Sequence, residues 1–194
     1  MNSKINVLKT IAIKTVSHPA DYSVIIGSGL LRNIKKLYPL AGYSKIVIIT
    51  DTKVAPLYLA DLAAGLPATT KSIILPPGDK AKIINNVQTV WDQLINFGCD
   101  RQSLVINLGG GVISDLGGFA ASTFMRGIDF INIPTTLLAQ VDASAGGKTG
   151  INYGHAKNII GTFQQPRLVL IDAECINTLS DREFFSGWAE IFKH

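Results

Sequence analysis

The segment Asn107-Leu108-Gly109-Gly110-Gly111-Val112-Ile113-Ser114-Asp115 packs three glycines and three acceptor side chains into nine residues. Glycines at the end of a strand let backbone approach a phosphate closely. A helix starting there offers unpaired N–H groups and the positive end of its dipole. The pattern departs from the G-x-G-x-x-G dinucleotide fingerprint, because Ser114 stands where the last glycine belongs. A tight turn without a ligand is the plainer alternative, and Asp115 suits a helix cap as well as a ligand contact.

A second rich stretch runs Gln140-Val141-Asp142-Ala143-Ser144-Ala145-Gly146-Gly147-Lys148-Thr149-Gly150-Ile151-Asn152, with Lys157-Asn158 beyond it. Glycine donors around a central lysine suit a phosphate or carboxylate. The G-G-K-T lacks the earlier glycine of a Walker loop, and a flexible linker is the competing reading. Pro77-Gly78-Asp79-Lys80-Ala81-Lys82 sets an acid and two bases after a strand, where an ordinary turn would also explain them. Asp51 closes an apolar run, where it suits either a ribose hydroxyl or a turn. Thr135 and Thr136 follow Pro134 and suit a ligand or the cap of the next helix. Glu190, Lys193 and His194 are spaced i, i+3, i+4, which fits a metal ligand beside a base but fits a solvated helix face better. His18 and His155 have no ligand-like spacing.

The elements that must position these groups alternate. Apolar runs of strand length occur at 23–27, 45–50, 71–75, 103–108, 128–133 and 168–172. Helical patterns occupy 30–38, 55–65, 83–97 and 112–122, and residues 145–154 read as loop. On 83–97 the residues Ile84, Val87, Trp91, Leu94 and Ile95 share one face. Ser180-Asp181-Arg182-Glu183 fits a capping box opening a further helix, which is still in progress at His194. Strands alternating with helices at this spacing predict a Rossmann-like α/β fold, a mostly parallel sheet with helices on both faces.

Composition narrows the class of protein. Of 194 residues 47% are hydrophobic and 16% charged, so intrinsic disorder is excluded. The net charge of +4 comes without a basic run, so nucleic acid is not implied. No apolar stretch reaches the ~20 residues of a membrane span, no signal peptide is visible, and two cysteines are too few for a disulfide framework. A cytoplasmic protein is expected.

Taken in order, P-G-D-K-A-K, G-G-G-V-I-S-D, A-S-T-F-M-R-G, I-P-T-T-L-L-A-Q-V-D, G-G-K-T-G-I-N, K-N-I-I-G-T-F and A-E-I-F-K-H resemble the 3-dehydroquinate synthase family, nearly without a break from Pro77 to His194. The resemblance implies conversion of 3-deoxy-D-arabino-heptulosonate 7-phosphate to 3-dehydroquinate and phosphate. The route is a transient NAD-dependent oxidation, phosphate elimination, reduction and aldol closure. It implies a divalent metal as well, usually zinc, with cobalt an alternative. The related readings are another sugar-phosphate cyclase of the inosose or valiolone type, a glycerol-type alcohol dehydrogenase, or a non-catalytic NAD-binding module.

By motif the resemblance assigns cofactor contacts to Asp51, Asp79, Lys82, Gly110, Gly111, Val112, Asp115, Thr135, Thr136, Lys148, Lys157 and Thr178. Asp142, Lys148, Asn158 and Lys193 match substrate contacts. Arg126 matches an arginine that reaches the neighbouring subunit's substrate phosphate, which implies a homodimer. Glu190 matches the first metal ligand. The family usually has Glu at the position of Asp79 and Gly at that of Ser114. Residues 1–178 are then expected to form the NAD-binding domain, and 179–194 to begin a helical domain that carries the other two ligands. With one ligand of three, the 194 residues alone are expected not to turn over. Apolar surface left open for that domain and a partner subunit is expected to make the chain sticky.

Overall fold

A computed structural model describes residues 6–13 and 21–192. Seven strands form one sheet in the order β1-β2-β9-β6-β5-β3-β4. They are β1 Asn6–Ile13, β2 Tyr22–Ser28, β3 Ile46–Asp51, β4 Lys71–Leu75, β5 Leu104–Gly109, β6 Asp129–Pro134 and β9 Leu168–Asp172. Only β1 runs antiparallel to its neighbour; every other pairing in this sheet is parallel. β3, β5 and β9 are buried along their whole lengths, as strands covered on both faces must be.

The cover comes from both sides. The helices α3 (Ile84–Asn96) and α4 (Gly111–Thr123) pack with Val47, Ile49, Val105 and Phe130. The short helices α1 (Ile34–Leu37) and α2 (Ala60–Ala64) pack with Ile48, Ile106, Leu108 and Ile131 on the other side. The expected doubly wound α/β architecture is present. β3 connects through α2 on one face, whereas β5 connects through α4 on the other. The crevice between their carboxyl ends is therefore the switch point at which such sheets receive ligands.

Three readings need correction, and β1 adds a strand that the apolar runs do not announce. Residues 145–154 are not loop, because Lys148–Tyr153 forms β7, paired antiparallel with β8 (Ala156–Phe163) as a separate two-stranded ribbon. The glycines that suggested loop serve the ribbon: Gly150 lies opposite Gly161, where an added Cβ would come 2.1 Å from the Thr149 carbonyl. The helix at 30–38 is only a 3-10 turn followed by α1, and β1 carried no clear pattern because most of it is exposed. On α3 the buried residues are Val87, Val90 and Leu94; Ile95 is 64% exposed. The capping box holds: the Ser180 hydroxyl accepts from the Glu183 amide at the start of α5 (Asp181–Ile191), and Glu183 accepts from the Ser180 amide.

Candidate functional site

β5 delivers the glycine turn. It ends at Gly109, Gly110 caps α4 with extended backbone, and no side chain caps that helix. The first N–H groups of α4, those of Gly111 and Val112 among them, stand at the switch point with no helical acceptor of their own. Room at the turn is scarce. A Cβ on Gly110 would lie 3.1 Å from Thr136 Cγ2, and one on Gly111 would lie 3.2 Å from Ala143 Cβ. The glycines therefore let the 135–143 segment close against the turn. Thr135 is buried and donates its amide to the Gly109 carbonyl (3.0 Å), while Thr136 Oγ1 accepts the Ala139 amide (3.3 Å). Thr136 does cap the next turn, a π-helical one over Ala139–Ala143 that carries the exposed Asp142.

Beside the turn lies a charged cluster that the β7–β8 ribbon completes. Lys82 is buried, and its ammonium donates to both the Asp115 carboxylate and Asn158 Oδ1. Asn152 donates its amide to the Lys82 carbonyl (2.8 Å) and accepts the Asn158 amide (3.0 Å). Asn158 sits in the left-handed region at φ 53°, which a non-glycine residue adopts only when its surroundings impose it. Lys157 reaches Asp79 at 3.0 Å. Burial raises the Asp115 carboxyl above its ordinary range and outweighs Lys82, which pulls it down; nearby Asp142 raises it further. The Lys157 ammonium holds the exposed Asp79 carboxyl below its ordinary range.

Asp79, Lys82, Asp115, Lys157 and Asn158 are thus brought together, with Gly110, Gly111, Thr135, Thr136 and Asp142 beside them. Asp51 ends β3 across the crevice and its Oδ1 accepts the Lys53 and Val54 amides, the turn-forming arrangement. Thr178 lies past β9, where its hydroxyl meets that of Tyr58. Lys148 is exposed at the start of β7. Arg126 is not part of the group. It follows the far end of α4, about 20 Å from the turn for a 13-residue helix, in a left-handed run from Met125 to Gly127. Glu190 lies one turn beyond Gly187, whose Cα faces Leu137 and Leu138 so closely that a Cβ would come 2.5 Å from the Leu138 amide. Glu190 therefore shares the face of α5 that meets the Asp142 segment. His155 is exposed, and Lys193, His194 and His18 lie outside the described residues. No group of three or more His, Cys, Asp or Glu able to hold a metal occurs among the described residues. No helix among them is long and apolar enough to cross a membrane.

The motifs assign no role to two further polar residues, Asn107 and Asn132. Both are buried, on adjacent strands at matched register. The signal was present: asparagine is out of place inside the apolar runs I-N-L and I-N-I.

A doubly wound sheet with a glycine turn, an uncapped helix start and a lysine-centred charge cluster at its switch point defines an α/β domain of the class that receives ligands at the carboxyl ends of its strands. Residues 72–186 match the family model described as 3-dehydroquinate synthase N-terminal. A 3-dehydroquinate synthase from Nitrosomonas europaea is 48% identical over 187 residues, covering 95% of this chain and 51% of the relative. The chain belongs to the 3-dehydroquinate synthase family and spans about half the length of the curated relatives it matches. Among solved structures, a 2-epi-5-epi-valiolone synthase from Streptomyces hygroscopicus with NAD+ and Zn2+ bound is 36% identical, with a TM-score of 0.79 over 94% of this chain and 50% of that one. A 2-deoxy-scyllo-inosose synthase complexed with carbaglucose-6-phosphate, NAD+ and Co2+ superposes with a TM-score of 0.87 at 24% identity, over 95% and 51% of the two chains, and shares the fold.

Proposed function

We propose that this chain supplies the NAD-binding half of a 3-dehydroquinate synthase. The observation that carries the proposal is the convergence of Lys82, Asp115 and Asn158 beside the uncapped start of α4 at the switch point. The fit to NAD rests on that turn, where Gly110 and Gly111 leave backbone N–H groups open and no side chain competes for them. NAD, when bound, supplies a reversible hydride acceptor.

In this reading the amides of Gly111 and Val112 hold the pyrophosphate, and Asp115 and Asp51 accept from ribose hydroxyls. Lys82 offsets the phosphate charge and holds Asp115 in place. Asp79, Thr135, Thr136, Lys148, Lys157 and Thr178 complete the cofactor contacts. Asp142, Lys148, Asn158 and Lys193 bind the sugar phosphate, and Arg126 reaches the phosphate bound by a second copy in a homodimer. The position of Arg126, a helix length from the turn, supports a contribution to another protomer's site. Glu190 contributes one metal ligand, zinc being the proposed metal. Residues 179–194 open the domain that carries the rest, and the enzyme works in the cytoplasm.

Calorimetry with NAD+ and a phosphate-release assay with NAD+, Zn2+ and 3-deoxy-D-arabino-heptulosonate 7-phosphate test this together. The 194 residues alone should bind NAD+ saturably and release no phosphate. Failure to bind NAD+ would overturn the reading. Steady release would overturn its claim that the metal site needs more than Glu190.

A further inference from the structure

We infer that Asn132, held by Asn107, is a positioning residue for the Asp142–Lys148 segment; the inference rests on the reading that this segment contacts the sugar phosphate. Asn107 Nδ2 donates to Asn132 Oδ1 at 3.0 Å, and Asn132 Nδ2 donates to the Ser144 carbonyl at 2.9 Å. All three residues are more than nine-tenths buried. The direction of the chain is fixed from its end. A backbone carbonyl only accepts, so Asn132 must turn its Nδ2 to Ser144 and its Oδ1 to Asn107, which must answer with Nδ2.

The surroundings make this pair costly. Asn107 and Asn132 share their sheet face with Val105 and Phe130, under α4. A Cβ on Gly117 would come 1.9 Å from Asn107 Oδ1, so the helix gives up a side chain to let the amide in. Among the described residues Asn107 Oδ1 and Ser144 Oγ are buried without a protein partner. Two apolar residues would fill this space at lower desolvation cost. What the amides add is a tie to Ser144 at a decisive place. The Ser144 amide closes the π turn onto the Ala139 carbonyl (3.0 Å), and Ser144 lies two residues after Asp142 and four before Lys148. Beyond it come Gly146 and Gly147, both with positive φ and little stiffness of their own. Gly146 is steadied by the Tyr22 hydroxyl (3.2 Å) and Gly147 by the Gln164 amide (2.9 Å). The Asn132 contact is the anchor on the Asp142 side. The charged cluster at Lys82 is tied down separately, through Asn152 and Asn158.

That separation gives the test. Asn132→Leu removes the tie but leaves the buried Asn107 Nδ2 without its acceptor, which costs fold stability as well. Asn107→Leu combined with Asn132→Leu replaces both amides by apolar groups of similar size and keeps the packing. In the folded double variant, amide hydrogen exchange at 144–148 should quicken about tenfold or more, with exchange in α4 and β5 unchanged. Calorimetry should show NAD+ affinity falling by no more than about threefold, because Lys148 is the one cofactor contact on the loosened segment while Asp79, Lys82, Asp115 and Lys157 are held elsewhere. Affinity of the NAD+-loaded chain for 3-deoxy-D-arabino-heptulosonate 7-phosphate should fall about tenfold or more. Unchanged exchange at 144–148, or an equal loss of both affinities, would overturn the inference. A wild-type chain that binds neither ligand would instead overturn the proposed function, and the exchange result would still decide whether Asn132 holds Ser144.

Discussion

Two carboxylates stand at the ligand-facing end of this sheet, and their surroundings differ. Asp172 closes β9, is 2% exposed, and is filled by backbone: it accepts the amides of Gly29 (3.1 Å), Leu30 (2.6 Å), Leu31 (3.3 Å) and Glu174 (3.1 Å). Asp115 lies within α4 and is met by a side chain, the buried Lys82 ammonium. A backbone N–H cannot leave without unfolding its segment, so Asp172 is committed to holding the 29–31 turn and the 173–178 turn. A lysine can share its charge with an incoming phosphate, and a carboxylate raised by burial gains from a hydroxyl donor. An acid near the switch point is structural when backbone amides fill both its oxygens, as at Asp172, and open to ligand when they do not, as at Asp115 and at Asp51, whose amide partners use Oδ1 alone.

The comparison breaks or sharpens in order of effect. Asp172→Ala should cost about 3 kcal/mol or more in urea unfolding, because four amides lose their acceptor. The fraction that stays folded should lose less NAD+ affinity than Lys82→Met does, since Thr178 is the one proposed cofactor contact on a turn that Asp172 holds. Gly117→Ala should cost about 2 kcal/mol by the same measurement, since its Cβ overlaps Asn107. Lys82→Met should show the converse pattern: NAD+ affinity falls about tenfold or more by calorimetry, with a smaller loss of stability. Ser114→Ala should stabilise by about 0.5–1 kcal/mol in thermal unfolding, because the Ser114 hydroxyl is buried without a partner. Asp79→Asn should change stability by no more than about 0.5 kcal/mol at neutral pH, its pair with Lys157 being exposed. Asp79 titrates below its ordinary value, so its contribution is present above that value. It fades as pH falls through the lower, folded-state value, which urea midpoints between pH 3 and 7 would show.

The parts of this arrangement differ in how openly the sequence announces them. The buried strands and the glycine turn were legible because an apolar run that ends in glycine has few other uses. The capping box at Ser180 was legible because its chemistry is local. The β7–β8 ribbon was not, since Gly150 and Gly161 look like loop until their pairing across the ribbon is known. Asp79, Lys82, Asp115, Lys157 and Asn158 were each named, but what joins them is long-range: Lys82 and Asn158 are 76 residues apart. Asp51 and Asp172 both close apolar runs, and only the backbone amides around them reveal which turns they hold. Phe185 and Trp188 on α5, and Phe192 just after it, are exposed. Light scattering at high concentration should show self-association of the chain.

The most direct measurement is an NAD+ titration of the wild-type chain beside Lys82→Met and Asp172→Ala, each checked for its folded fraction. The account predicts saturable binding by wild type, a loss of about tenfold or more in Lys82→Met, and a distinctly smaller loss per folded molecule in Asp172→Ala. Equal affinities in wild type and Lys82→Met, or no binding by any of the three, would contradict it.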